Sequence, residues 1–278
     1  MSYLKYLLLN AALAWSISWN FMAQYQQGTI ELNHEQTLLI PENTEHTFID
    51  YGNNLYFVTK DQIHRKSLAT GIQNVQSQKK WQTIDQIISI NAMKTVVFSQ
   101  AQQQVCFTDN TLSTQGSCIQ LQDYGLSNVT HVAASKRPDM LWIYDELNST
   151  LVLFNFVQHQ ILQSVNNLRG LLALKDEPIL EENTAGLWIY TKSGQVLRMD
   201  DYLNVLSDEQ ISFSSLVPFK KGYFIIQDQK LMYHSLLKDE IVFDKISTLS
   251  ANDKLHISGN QLIIEKNELL EVFIIKEN

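Results

Sequence analysis

Val129-Thr130-His131-Val132-Ala133-Ala134, Leu141-Trp142-Ile143-Tyr144, Leu151-Val152-Leu153-Phe154-Asn155 and Gln160-Ile161-Leu162-Gln163-Ser164-Val165 follow one another with only polar connections between them. The second and third runs are joined by Asp145-Glu146-Leu147-Asn148-Ser149, a turn of ordinary hairpin length. The stretch reads as four consecutive strands: inner, second, third and outer.

The second of these runs recurs. Leu55-Tyr56-Phe57-Val58, Val96-Val97-Phe98, Leu187-Trp188-Ile189-Tyr190, Tyr223-Phe224-Ile225-Ile226 and Leu262-Ile263-Ile264 have the same character, each followed by a polar turn and a further short run. Between first residues the six runs are spaced 41, 45, 46, 36 and 39. A period of about forty residues built only from strand-like segments is that of a β-propeller blade. The expected fold is therefore all-β, a six-bladed β-propeller of four-stranded antiparallel blades. Blade four is expected at 179–180, 186–190, 195–199 and 203–206, and blade five at 216–217, 222–226, 230–233 and 240–243.

The second runs are continuously apolar. A strand with one wet face alternates, whereas a strand covered on both faces need not. Each blade of a propeller lies between two others, so Trp142 and Tyr144 can point one way, Leu141 and Ile143 the other, and all be buried. Their aromatics then pack blade against blade; the competing reading is a ligand platform.

Blade six comes out one strand short, with 255–257, 261–264 and 269–275. An open ring would expose a strand edge. Gly28-Thr29-Ile30-Glu31-Leu32 resembles Gly116-Ser117-Cys118-Ile119-Gln120-Leu121, the expected outer strand of blade two. It is expected to complete blade six and close the ring.

The first 23 residues have another character: Lys5 is the only charge before Glu31, and an apolar stretch runs from Tyr6 to Phe21. Its length suits a secretory signal and falls short of a spanning helix. We expect a signal peptide over 1–23, cut after Ala23, and a single propeller domain over 24–278 with no transmembrane span; an uncleaved anchor is the alternative. No linker or charge block interrupts the repeat. The net charge of −8 and scattered basic residues repel a phosphate backbone, which argues against nucleic acid.

Export changes how the two cysteines read. Cys106 and Cys118 flank the turn-rich segment 109–116, and as antiparallel neighbours they would form a disulfide. Two buried free thiols are the other possibility.

The exported, strand-only sixfold repeat with its Leu-Trp-Ile-Tyr runs resembles the divergent six-bladed β-propellers of bacterial envelopes, over 46–278 plus the N-terminal strand. The resemblance implies a periplasmic or outer-membrane-associated protein that holds an envelope protein, monomeric in isolation and without a cofactor. The Gly-His to Trp-Asp pairing of WD repeats, the double glycine of kelch repeats and the docking pattern of quinoproteins are all missing.

Chemistry is harder to find. The seven histidines include no pair at metal-ligand spacing, although His131 and His256 could approach a central channel. Glu181-Glu182 and Asp200-Asp201 read as solvated, because adjacent strand residues face opposite ways. No nucleophile elbow, phosphate loop or zinc-protease motif occurs, so no catalytic, metal or cofactor residue is assigned. A non-enzymatic scaffold leads, with the loops at 76–86 and 165–177 as candidate contacts. An enzyme or sugar binder using the channel is the rival: a lactonase-like site would have to draw on Glu181, Glu182 and Asn183. A carbohydrate surface would use exposed aromatics such as Trp81 and Tyr202.

Overall fold

The structure, a computed structural model, describes residues 30–50, 52–77, 81–236, 240–244 and 246–277. The expected signal segment at 1–23 lies outside them. The compact unit Leu32–Ile275 holds the blades; Met1–Glu31 and Lys276–Asn278 fall in a separate unit. The strands form six four-stranded antiparallel sheets, each consecutive in sequence except the last. The innermost strands are His46–Ile49, Gln86–Asn91, Val129–Ala134, Pro178–Asn183, Ser215–Phe219 and Lys254–Ser258. Each touches the next round the circle, the last touching the first. The result is a closed six-bladed propeller.

The second strands, Asn54–Val58, Lys94–Ser99, Met140–Asp145, Gly186–Thr191, Gly222–Gln227 and Gln261–Glu265, begin 40, 46, 46, 36 and 39 residues apart. They are the apolar runs of the sequence, with one adjustment. In blade two the repeat begins at Thr95, so Val96 rather than Val97 occupies the place of Tyr56. Thr95 is buried, its hydroxyl 3.4 Å from that of Tyr56, and a polar residue at a covered position hid the register.

Alternation along the strand sends successive side chains to opposite neighbours. Leu141 and Ile143 pack with Val96 and Phe98 of blade two, while Trp142 and Tyr144 pack with Leu187 and Ile189 of blade four. Trp188 and Tyr190 continue the pattern against Tyr223 and Ile225 of blade five. Tyr56, Trp142 and Trp188 are each 1% exposed, so these aromatics are packing between blades and not a ligand platform. Gly186 opens its strand at φ +135°, where a Cβ would lie 2.2 Å from the Met199 carbonyl oxygen. Only glycine fits that approach. Pro218 sits in an innermost strand, an edge position where a missing N–H is tolerated.

Blade six is completed from the N-terminus. Ile30–Leu39 pairs with Leu269–Glu277, giving the sheet four strands. This strand begins later and runs further than the expected 28–32, of which Gly28 and Thr29 lie outside the described residues. The Ile40 amide donates to the Glu268 carbonyl at 2.9 Å and extends the seam.

Two outer strands differ from expectation. In blade four the strand is Val205–Gln210, not 203–206, because Leu203 turns the chain at φ +65°. In blade two only Ile119–Gln120 pairs with the third strand. Beyond that pairing Cys118 is bonded to Cys106 with Cα atoms 4.3 Å apart, and Thr114 bridges to Thr108.

Candidate functional site

The innermost strands enclose a central cavity of about 770 Å³. Ile88, Ile179, Val217 and Leu255 supply apolar wall, and Gln86, His131, Glu181 and His256 are its polar members. Each innermost strand has a free edge toward the channel. Its side chains lean alternately toward the preceding and following blade.

The polar side chains use that placement to stitch the ring. Gln86 accepts from the Val132 amide at 2.7 Å, and its amide nitrogen lies 3.1 Å from His131 Nε2. The His131 ring is hydrogen-bonded to the Leu180 backbone of blade four. Asn183 donates to the Lys220 carbonyl at 3.2 Å, and Ser215 accepts from the Leu255 amide at 2.9 Å. Ser258 closes the circle, donating to the Asp50 carbonyl and accepting from the Asn53 amide at 2.9 Å.

His131 and His256 both line the cavity, on opposite sides of the ring. His256 Nε2 is 2.8 Å from Glu265 Oε2 within its own blade. Desolvation pushes the His131 pKa down to about 4 from 6.5, only partly offset by the Leu180 bond. It is therefore neutral at physiological pH. Below pH 6.5 an unfolded chain takes up a proton that the folded ring refuses, so His131 should weaken folding as pH falls from about 6.5 to about 4. Below that range its effect levels off. The loss reaches on the order of 3 kcal/mol, and urea titrations of native and His131→Asn chains across this window should show a flatter pH dependence in the variant.

The acid and amide group at Glu181, Glu182 and Asn183 is split by the strand alternation. Glu182 faces blade three and accepts from Trp142 Nε1 at 2.7 Å, Ser135 Oγ at 2.7 Å and the Lys136 amide at 3.0 Å. Its side chain is 2% exposed, which corrects the expectation of a solvated pair. A buried carboxylate persists because all these donors converge on it. Glu181 accepts from Tyr190 at 2.6 Å, and Asn183 from Trp188 Nε1 at 3.1 Å. These residues hold blades rather than converge on a common ligand. Among the described residues no group of three or more His, Cys, Asp or Glu is placed to hold a metal ion. Asp200 and Asp201 do lie in a turn, where Asp200 accepts from the Tyr202 and Asn204 amides at 2.8 and 2.9 Å.

The proposed aromatic surface does not form. Trp81 is 4% exposed, packed with Ile84 and Leu112 beneath the seam of blades one and two, whereas Tyr202 is 82% exposed. Trp81 opens a long polar loop, and nothing local in its sequence marks it as buried. The loop at 165–177 contains a helix that the sequence did not signal, Leu168–Leu172, started by Asn167, whose side chain accepts from the Gly170 amide at 3.3 Å. Among the described residues no helix is long and apolar enough to cross a membrane.

No family model and no curated protein matches the chain. Among solved structures it is similar to the Neurospora crassa Pan2 WD40 domain, with 9% identity and a TM-score of 0.57 over 87% of this chain and 95% of that one. It is similar to virginiamycin B lyase from Staphylococcus aureus, with 8% identity and a TM-score of 0.57 over 88% and 99%. A chain of a mitotic checkpoint complex aligns with 12% identity and a TM-score of 0.57 over 88% and 93%. At these identities the likeness is one of fold.

Proposed function

We propose that this chain is a non-enzymatic protein-binding scaffold, exported to the cell envelope, in which the propeller is a rigid frame and the loops at its rim hold a partner protein. One observation carries the reading. The acids, amides and histidines that could have served chemistry in the channel are engaged in bonds between and within blades, while large apolar side chains stand exposed on the loops. Function on a rigid scaffold resides in such loops. The similarity to a protein solved within a mitotic checkpoint complex supports this use of the fold, while virginiamycin B lyase keeps a channel enzyme as the rival.

The test is capture from envelope extract on the immobilised full chain, followed by titration of each captured protein in purified form. Saturable one-to-one binding by a specific protein is expected. Failure of every captured protein to saturate overturns the scaffold. Export has its own test: N-terminal sequencing of chain from the envelope fraction should begin at Gln24, and an intact Met1 would oppose cleavage. The bonded cysteine pair suits an oxidising compartment. Thiol titration of exported, denatured, unreduced protein should find no free thiol, and two would refute the bridge.

A further inference from the structure

We propose that the partner docks around Leu147 and Leu171 through a basic amphipathic segment; this rests on the scaffold reading and names the face and the chemistry. Leu147 tips the turn between the second and third strands of blade three, and Leu171 lies on the short helix leading into blade four. They are 70% and 66% exposed. Turn and helix are one unit: the Leu168 amide donates to the Ser149 carbonyl at 2.7 Å, the Arg169 amide to Ser149 Oγ at 2.8 Å, and the Arg169 guanidinium pairs with Glu146. Leu168 is buried beneath them, and Gln195 Nε2 ties the helix end to blade four through the Leu172 carbonyl at 3.0 Å. Two large apolar side chains are thus presented by a fixed support, which lowers the ordering cost of binding.

Charge selects the occupant. Turns joining second to third strands and loops joining one blade to the next share one end of the ring, and there carboxylates outnumber basic side chains among the described residues. Beside the leucines stand Asp176 and Glu177, neither in an ion pair among the described residues. The opposite end carries Lys136, Arg137, Lys220 and Lys221 on its loops. An apolar pair within this negative field suits a segment that offers apolar anchors flanked by lysine or arginine, and it repels an acidic one.

The probes are two labelled peptides with leucine at helical spacing, one otherwise of lysine and one of glutamate, titrated against the full chain. The lysine peptide should bind, weaken as salt rises, and lose at least about tenfold in affinity on a Leu147→Ser/Leu171→Ser chain. The variant should melt with the native chain, since both side chains are exposed. Equal binding of the two peptides, or undiminished binding by the double variant, overturns the proposal. A native partner held equally by the variant also overturns it, yet leaves the scaffold reading standing. Absence of any native partner, with peptide binding still lost in the variant, tells against the scaffold and not against the patch.

Discussion

A chain that begins at Ile40 is expected to melt at least about 10 °C below one that carries Ile30–Leu39, or to aggregate before it melts. The strand supplies the outer quarter of blade six, and three kinds of contact leave with it. The ladder to the last strand is lost. His34 leaves its edge-on contact with Phe273, whose ring centroid is 5.4 Å away, and Glu35 leaves Gln261 Nε2 at 2.6 Å. Leu38 leaves the cluster in which Leu55 and Phe57 of blade one meet Ile263 and Val272 of blade six. That cluster is the seam of the ring, so damage there loosens both blades. A loss of about 3 kcal/mol or more corresponds to the stated shift for a domain of this size. Calorimetry on both chains checks it, and adding the strand back as a peptide should recover part of the difference. Identical melting would mean that blade six stands on three strands.

The part of this architecture that was legible in the sequence is the part covered on both sides. Leu141-Trp142-Ile143-Tyr144 and its counterparts are unbroken apolar runs because each faces a blade in either direction, and their spacing exposed the ring. Outer strands have no such constraint. Val205–Gln210 alternates between exposed and half-exposed positions, so no apolar period marks it, and the preceding Leu203 drew the expected strand too early. The site was opaque for a different reason. Glu182 meets Trp142, Lys136 and Ser135 at separations of 40, 46 and 47 residues, so its burial is set by contacts between blades. Glu181 beside it made the two look like an ordinary solvated pair. Trp81 hides under Ile84 by the same kind of long-range packing.

Replacing Trp142 by alanine should cost about 3–5 kcal/mol, read as a lower urea midpoint at unchanged slope. The indole is almost wholly enclosed between blades three and four, so the cavity cannot be filled by a small adjustment of one loop. The chemistry of Glu182 adds a second component. With the indole gone, its buried carboxylate keeps Ser135 Oγ and the Lys136 amide but loses its Trp142 donor at 2.7 Å. Trp142→Phe separates the two effects: it fills most of the space and removes the donor, for an expected cost of about 1–3 kcal/mol. Combined with Glu182→Gln it forms a double-mutant cycle. If the indole and the carboxylate act together, the double variant loses less than the sum of the single ones. Strict additivity would mean that the hydrogen bond holds nothing and that packing alone joins these blades. Tyr202→Ala is the matched control, since an exposed side chain away from any seam should stay within about 0.5 kcal/mol. A Trp142→Ala chain as stable as that control would refute the view that the ring is fastened by the aromatics of its second strands.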